Sequence, residues 1–173
     1  SKSRIGTSDI GRRARLVSSP IEQYQAFFDR FGQPTKALII GPEDVTTFAV
    51  EMRPEVPTIF VDGGARWREK LSRTNDESET ISTTIGDGDS YDGTIDIKLP
   101  AEKDFSDFAF ALKNLPSDIC EIETHGFLGG DSAHEIINFG EAHHLLKKRE
   151  HTFMTFNGTV WAFSPGEWSF YLN

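Results

Sequence analysis

The chain has 173 residues and a formal net charge of −9, from 27 Asp+Glu against 18 Lys+Arg. Its 37% hydrophobic and 26% charged content is that of a folded chain with a real core, which excludes an acidic disordered tail. The acidity argues against sequence-independent nucleic-acid binding, no apolar run approaches the ~18 residues of a membrane span, and a single cysteine, Cys120, leaves no disulfide framework or thiolate zinc site.

Charge is uneven along the chain. Residues 1–34 carry six cations and three anions, a net of +3, which leaves −12 on the remainder. Ser1 to Ser19 reads as a polar, solvated basic arm. Apolar residues at Ile21, Tyr24, Phe27, Phe28 and Phe31 predict a helix that Pro20 opens and Gly32 with Pro34 stops. Ala37–Ile40 predicts a buried strand closed by Gly41-Pro42, and a helix is expected from Pro42 to about Met52. Thr58–Val61 is the next strand. It ends at Asp62-Gly63-Gly64, and a helix over Ala65–Leu71 should follow.

After a polar loop, Thr80–Ile85 predicts a strand that ends at Gly86-Asp87-Gly88-Asp89-Ser90. Phe105–Leu115 has helical spacing. Asp118–Thr124 is strand-like and runs into Gly126-Phe127-Leu128-Gly129-Gly130. Ser132-x-x-Glu135 fits a capping box for a helix reaching Lys147-Lys148-Arg149. Thr152–Phe156 and Thr159–Phe163 flank Asn157-Gly158, a hairpin signal, and Trp168–Leu172 adds a further strand. The alternation predicts an α/β fold: a mainly parallel, Rossmann-like sheet flanked by helices, with a short C-terminal antiparallel β meander. The boundaries expected are 1–34 for a basic extension with one helix, 35–150 for the α/β catalytic-type domain, and 151–173 for a short β appendage. A reducing interior, the cytoplasm, is the expected compartment.

Ligands of open α/β sheets bind outside the carboxyl ends of the strands. Three strands here end in glycine-rich segments, two of them with aspartates. The glycines allow close backbone approach, and the aspartates supply the hard oxygens that suit Mg²⁺ with a polyphosphate. Each cluster alone reads as a turn, and three at successive strand ends read as a site. The Asp87–Gly93 segment fails the EF-hand pattern, because Tyr91 and Asp92 occupy its fifth and sixth positions. Two readings stand for Lys103-Asp104-Phe105-Ser106-Asp107. Asp104 is an N-cap with Asp107 at N3, or both aspartates face a phosphate site with Lys103 neutralising charge. His134 reads as a packing or capping residue in a first helical turn, and His143-His144 is a poor chelating pair.

Asp62-Gly-Gly-Ala65, Gly86-Asp87-x-Asp89-Ser90, Glu102-Lys103-Asp104-x-Ser106-Asp107 and Gly126-x-x-Gly129-Gly130-x-x-x-His134 resemble, in order and rough spacing, the thiamine pyrophosphokinases. The resemblance covers residues 36 to about 172. It implies Mg²⁺-dependent transfer of pyrophosphate from ATP to a hydroxyl of thiamine or another small heterocyclic acceptor, by a homodimer without nucleic-acid or membrane partners. Asp62, Asp89, Lys103, Asp104 and Asp107 would be catalytic, and Asp87, Asp89 and Asp104 would hold magnesium. Gly63, Gly64, Ser90, Gly129, Gly130, His134 and Ser169 would contact the ligands. The chain departs from the family's Arg-x-Asp-His element, reading Asp131-Ser132-Ala133-His134, so a cation is replaced by an acid. The alternative is a catalytically degenerate nucleotide-binding or regulatory module of the same fold.

Overall fold

A computed structural model describes residues 18–74 and 81–171. Among the described residues, seven strands form one sheet in the order β4-β3-β2-β1-β5-β6-β7. They are β1 (Lys36–Ile40), β2 (Thr58–Val61), β3 (Ser82–Gly86), β4 (Ile97–Lys98), β5 (Glu121–His125), β6 (Phe153–Phe156) and β7 (Val160–Phe163). All neighbours are parallel except β6 with β7, so the predicted α/β class and its antiparallel end are what the chain forms. The helices are α1 (Pro20–Asp29), α2 (Arg68–Thr74), α3 (Asp107–Lys113) and α4 (Ser132–Leu146). Among the described residues no helix is long and apolar enough to cross a membrane.

The strands read as continuous apolar runs because both sheet faces are covered through much of the layer. Ala37, Ile39, Ile59, Val61, Ile85, Ile122 and Met154 join Tyr24, Phe28, Phe108, Ala111 and Leu112 in one core against the helices. Leu38, Ile40 and Phe60 point the other way, onto Val45, Met52, Val56 and Leu71. The helix expected in the 1–34 extension is α1, and it belongs to this first core. Tyr24 is fully buried, and its hydroxyl donates to the Ala111 carbonyl at 3.0 Å. The segment from 151 likewise continues the same sheet, since β6 pairs with β5 from Phe153 to Phe156.

Four local expectations are corrected. Residues 42–52 form turns and no helix: Asp44 Oδ1 accepts the Thr46 N–H at 2.8 Å, a side-chain bond that competes with helical pairing in a Val45-Thr46-Thr47 run already poor for helix. Ser106, not Asp104, caps α3, accepting the Ala109 N–H at 3.0 Å, which puts Asp107 at the first helical position. Asp131, not Ser132, caps α4, accepting the Ala133 N–H at 2.7 Å. Trp168–Tyr171 is not a strand; after the Pro165-Gly166 turn, Trp168 Nε1 donates back to the Ser164 carbonyl at 2.9 Å. Strand β4 was not foreseen. Its two residues are held by pairing to the end of β3.

Candidate functional site

The chain runs outward through β1, β2, β3 and β4, then crosses back to place β5 on the other side of β1. The switch point between β1 and β5 opens a crevice at the carboxyl ends of the strands. A cleft of about 300 Å³ lies there, walled by the Pro42-Glu43 turn, Asp62, Asp107, the segment after β5 and the first turns of α4.

Three carboxylates converge at this edge. Asp62 follows β2, Asp87 follows β3, and Asp107 opens α3, and one oxygen of each lies within 4.8 Å of the other two. The local folding explains how they meet. Asp62 sits in the left-handed region at φ 52°, a strained setting for any side chain, and starts a 3-10 turn over Asp62–Trp67. That turn packs so closely on β1 that a Cβ at Gly64 would lie 2.4 Å from the Ile40 carbonyl oxygen. Asp87 is folded back by the Asp89 N–H, which donates to its Oδ1 at 3.1 Å. Asp107 is fixed by the Ser106 cap.

Lys103 supplies the counter-charge. Its Nζ lies 3.1 Å from Asp87 Oδ2 and 3.1 Å from Asp107 Oδ1, and it donates to the Pro100 carbonyl at 3.0 Å. The Asp107 contact is an ion pair without hydrogen-bond alignment. Asp107 Oδ1 is buried, and this ion pair is what meets it there. Three carboxylates at this spacing repel by roughly 3 kcal/mol per pair at an effective dielectric of about 20, and one lysine offsets only part of that. The two neighbours of Lys103 respond differently. Burial pushes the Asp107 carboxyl up, Lys103 opposes the rise, and the charges of Asp62 and Asp87 add to it. The Asp89 N–H, then Lys103, holds Asp87 below the usual carboxylate range. Burial works against the Lys103 ammonium but is outweighed by Asp107 and Asp87, which raise its pKa.

The remaining residues singled out from sequence are dispersed. Asp89, Ser90 and Asp104 are exposed and stand outside the carboxylate trio, with Asp104 on the rim of a separate groove beside Phe105 and Ile21. Gly63 and Gly64 are buried in the 3-10 turn, where Gly64 serves backbone packing. Gly130 and His134 line the cleft. Gly129 is exposed and its N–H donates to Glu135 Oε1 at 2.6 Å. Ser169 is exposed in the tail after β7 and does not line the cleft. Sequence reasoning missed Glu43, Ser106 and Asn138 as cleft residues. Ser106 carried a signal, as part of the Glu102–Asp107 motif and as a serine just ahead of an apolar helical run, and Glu43 closes the Ala37–Glu43 strand and turn that resembles the same family.

Among the described residues, five carboxylates line the cleft (Glu43, Asp62, Asp107, Asp131 and Glu135), with His134 and no lysine or arginine. The trio offers hard oxygens, one of them buried and held by an off-axis ion pair to Lys103. This is a donor set that fits a divalent cation of the Mg²⁺ type, which takes one or two carboxylates and fills its other positions with water or phosphate oxygens.

Fold and site together define an α/β protein with an acidic cleft at a sheet switch point. No family model matches the chain, and no curated protein sequence matches it. Among solved structures it is similar to a thiamin pyrophosphokinase from Geobacillus thermodenitrificans, at TM-score 0.49 and 17% identity over 69% of this chain and 59% of that one. A protein from Lactobacillus plantarum gives a TM-score of 0.44 at 17% identity, over 70% and 59%. The chain thus spans 59% of the length of each of these two structures.

Proposed function

We propose that the protein transfers the pyrophosphoryl group of ATP to a hydroxyl of a small heterocyclic acceptor, with Mg²⁺ held by Asp62, Asp87 and Asp107. The observation that carries this reading is the convergence of those three carboxylates, with Asp107 buried, at the carboxyl edge of a parallel sheet. The motif resemblance supports it. When bound, Mg²⁺ supplies charge neutralisation for the phosphate oxygens, which is most of what such transfers require.

The chain's own residues do the rest. Lys103 keeps Asp87 and Asp107 in place, and the closed Asp62 turn fixes the third carboxylate. An acidic cleft repels a bare polyphosphate, so the nucleotide enters with its metal. In the transfer, the acceptor oxygen bonds to the β-phosphorus, the bond from that phosphorus to the α-bridging oxygen breaks, and AMP departs. A cleft carboxylate takes the hydroxyl proton. The protein works as a homodimer in this reading, which sedimentation velocity tests.

Isothermal titration with ATP and Mg²⁺ should show metal-dependent binding that Asp87→Asn abolishes. Binding that is absent in the wild type, or unchanged in the variant, would overturn the metal site. Incubation with ATP, Mg²⁺ and thiamine should yield AMP and thiamine diphosphate. AMP without that product points to another acceptor or to hydrolysis. A second reading, a degenerate nucleotide-binding or regulatory module, is favoured by Asp131, whose carboxylate occupies the α4 N-terminus where the resembled family carries arginine. Metal-dependent ATP binding with no AMP formed selects it.

A further inference from the structure

Lys103 is the cation within ion-pair distance of the acidic trio among the described residues, and its surroundings leave it little freedom. Its side chain is 8% exposed. Two hydrogen bonds, to Asp87 Oδ2 and the Pro100 carbonyl, and the off-axis contact to Asp107 Oδ1 enclose the ammonium. Two of those three partners are the same carboxylates that offer oxygens to a cation at the centre of the trio. A divalent ion there would draw on Asp87 and Asp107 at the expense of their lysine contacts.

Resting on the metal-site reading above, we propose that Lys103 is a resident counter-cation of the carboxylate trio, which competes with the divalent metal for Asp87 and Asp107 and sets how tightly the metal binds. Two features of the geometry fit a competitor better than a scaffold. The Asp107 contact is an off-axis ion pair at 3.1 Å, a looser hold than the aligned bond to Asp87 Oδ2. The Pro100 carbonyl anchors the ammonium independently of either carboxylate, so Lys103 can give up both and remain held. A lysine suits this task because its ammonium is a compact point charge on a flexible stem, without the fixed fork of a guanidinium. With Lys103 in place, the metal-free protein avoids three unneutralised carboxylates; with metal bound, the same charge stands beside the cation and weakens it.

The test is metal binding, measured by calorimetry with Mn²⁺ and with Mg²⁺ on the wild type and on Lys103→Met. The variant should melt lower without metal and bind the metal about tenfold more tightly, the scale of a typical coupling between two ligands of one site. Equal or weaker metal binding by a folded Lys103→Met, with the wild type binding, overturns the proposal and leaves the metal site standing. Lys103 would then only support the carboxylates. No metal binding by the wild type removes the metal site and this proposal with it. Should Lys103→Met fail to fold, the wild type still decides through the ¹⁵N resonance of the Lys103 ammonium under Mg²⁺ titration. The resonance should move to saturation as the carboxylates are drawn away, and a resonance that stays put at saturating Mg²⁺ overturns the proposal.

Discussion

Asp87 and Asp107 contact the same ammonium, yet their charges have opposite effects on stability. Asp107 is buried, and its folded pKa lies above the unfolded value. Its stabilising contribution is therefore full below the unfolded pKa and is lost as pH rises through the raised folded value. Asp87 has a folded pKa depressed by the Asp89 N–H and by Lys103. Its contribution is present above the unfolded pKa and is lost as pH falls through the depressed value. Metal-free at neutral pH, Asp107→Asn should melt at or above the wild type, while Asp87→Asn should lose about 1 kcal/mol, or ~3 °C in Tm for a chain of this size. Both should lose any stabilisation by Mg²⁺. Differential scanning calorimetry in EDTA and in Mg²⁺ checks the pair. An Asp107→Asn that falls as far as Asp87→Asn would mean the buried carboxylate is a structural ion pair and not a site held ready for a cation. Sequence could name both aspartates but not their difference, because that follows from which oxygen the fold buries.

The elements that carry the trio were legible to different degrees. Strand ends and their glycines stood out because apolar runs stop abruptly at Gly and Asp, so Asp62 and Asp87 were found where they are. The metal set expected from the motif was Asp87, Asp89 and Asp104, whereas the structure gathers Asp87 with Asp62 and Asp107. The difference follows from one cap. With Ser106 as N-cap, Asp107 begins α3 and turns inward, while Asp104 stays in the exposed segment before it. Ser106→Ala should cost about 1 kcal/mol and weaken metal binding by loosening the first turn of α3. The Asp62 turn is less forgiving. A Cβ at Gly64 would meet the Ile40 and Gly41 carbonyl oxygens at 2.4 and 2.8 Å, and both are backbone atoms that cannot rotate away. Gly64→Ala should destabilise by ~3 kcal/mol or more, read as a lower urea midpoint, and a near-neutral outcome would show that β1 and the 3-10 turn can separate.

At the scale of the whole molecule, the parallel sheet was readable because each strand is a short apolar block between breakers. The partnerships between distant segments were not, since no local pattern says which helix covers which strand. The helix expected in a separate extension, α1, shows this. Its apolar stripe was plain, but Tyr24, Phe27 and Phe28 of that stripe lie in the same core as β1, β2 and α3. Tyr24 joins the two ends of that core. Its ring packs on Phe28 and Phe110 at 4.8 and 5.8 Å, and its hydroxyl reaches the Ala111 carbonyl across 87 positions of sequence. Burial pushes that phenol well above its ordinary pKa, only partly countered by Arg149, so the hydroxyl stays a donor at any physiological pH. Tyr24→Phe should cost about 1 kcal/mol for the lost hydrogen bond, and Tyr24→Ala about 4 kcal/mol for the emptied ring site. Because the helix and the sheet share one core, urea should unfold both in a single transition, with tryptophan fluorescence and far-ultraviolet circular dichroism coinciding in the wild type and shifting together in Tyr24→Ala. Two separated transitions, with the sheet surviving the loss of the helix, would instead make α1 an independent extension. The carboxylate trio would then be held by the sheet and α3 without it.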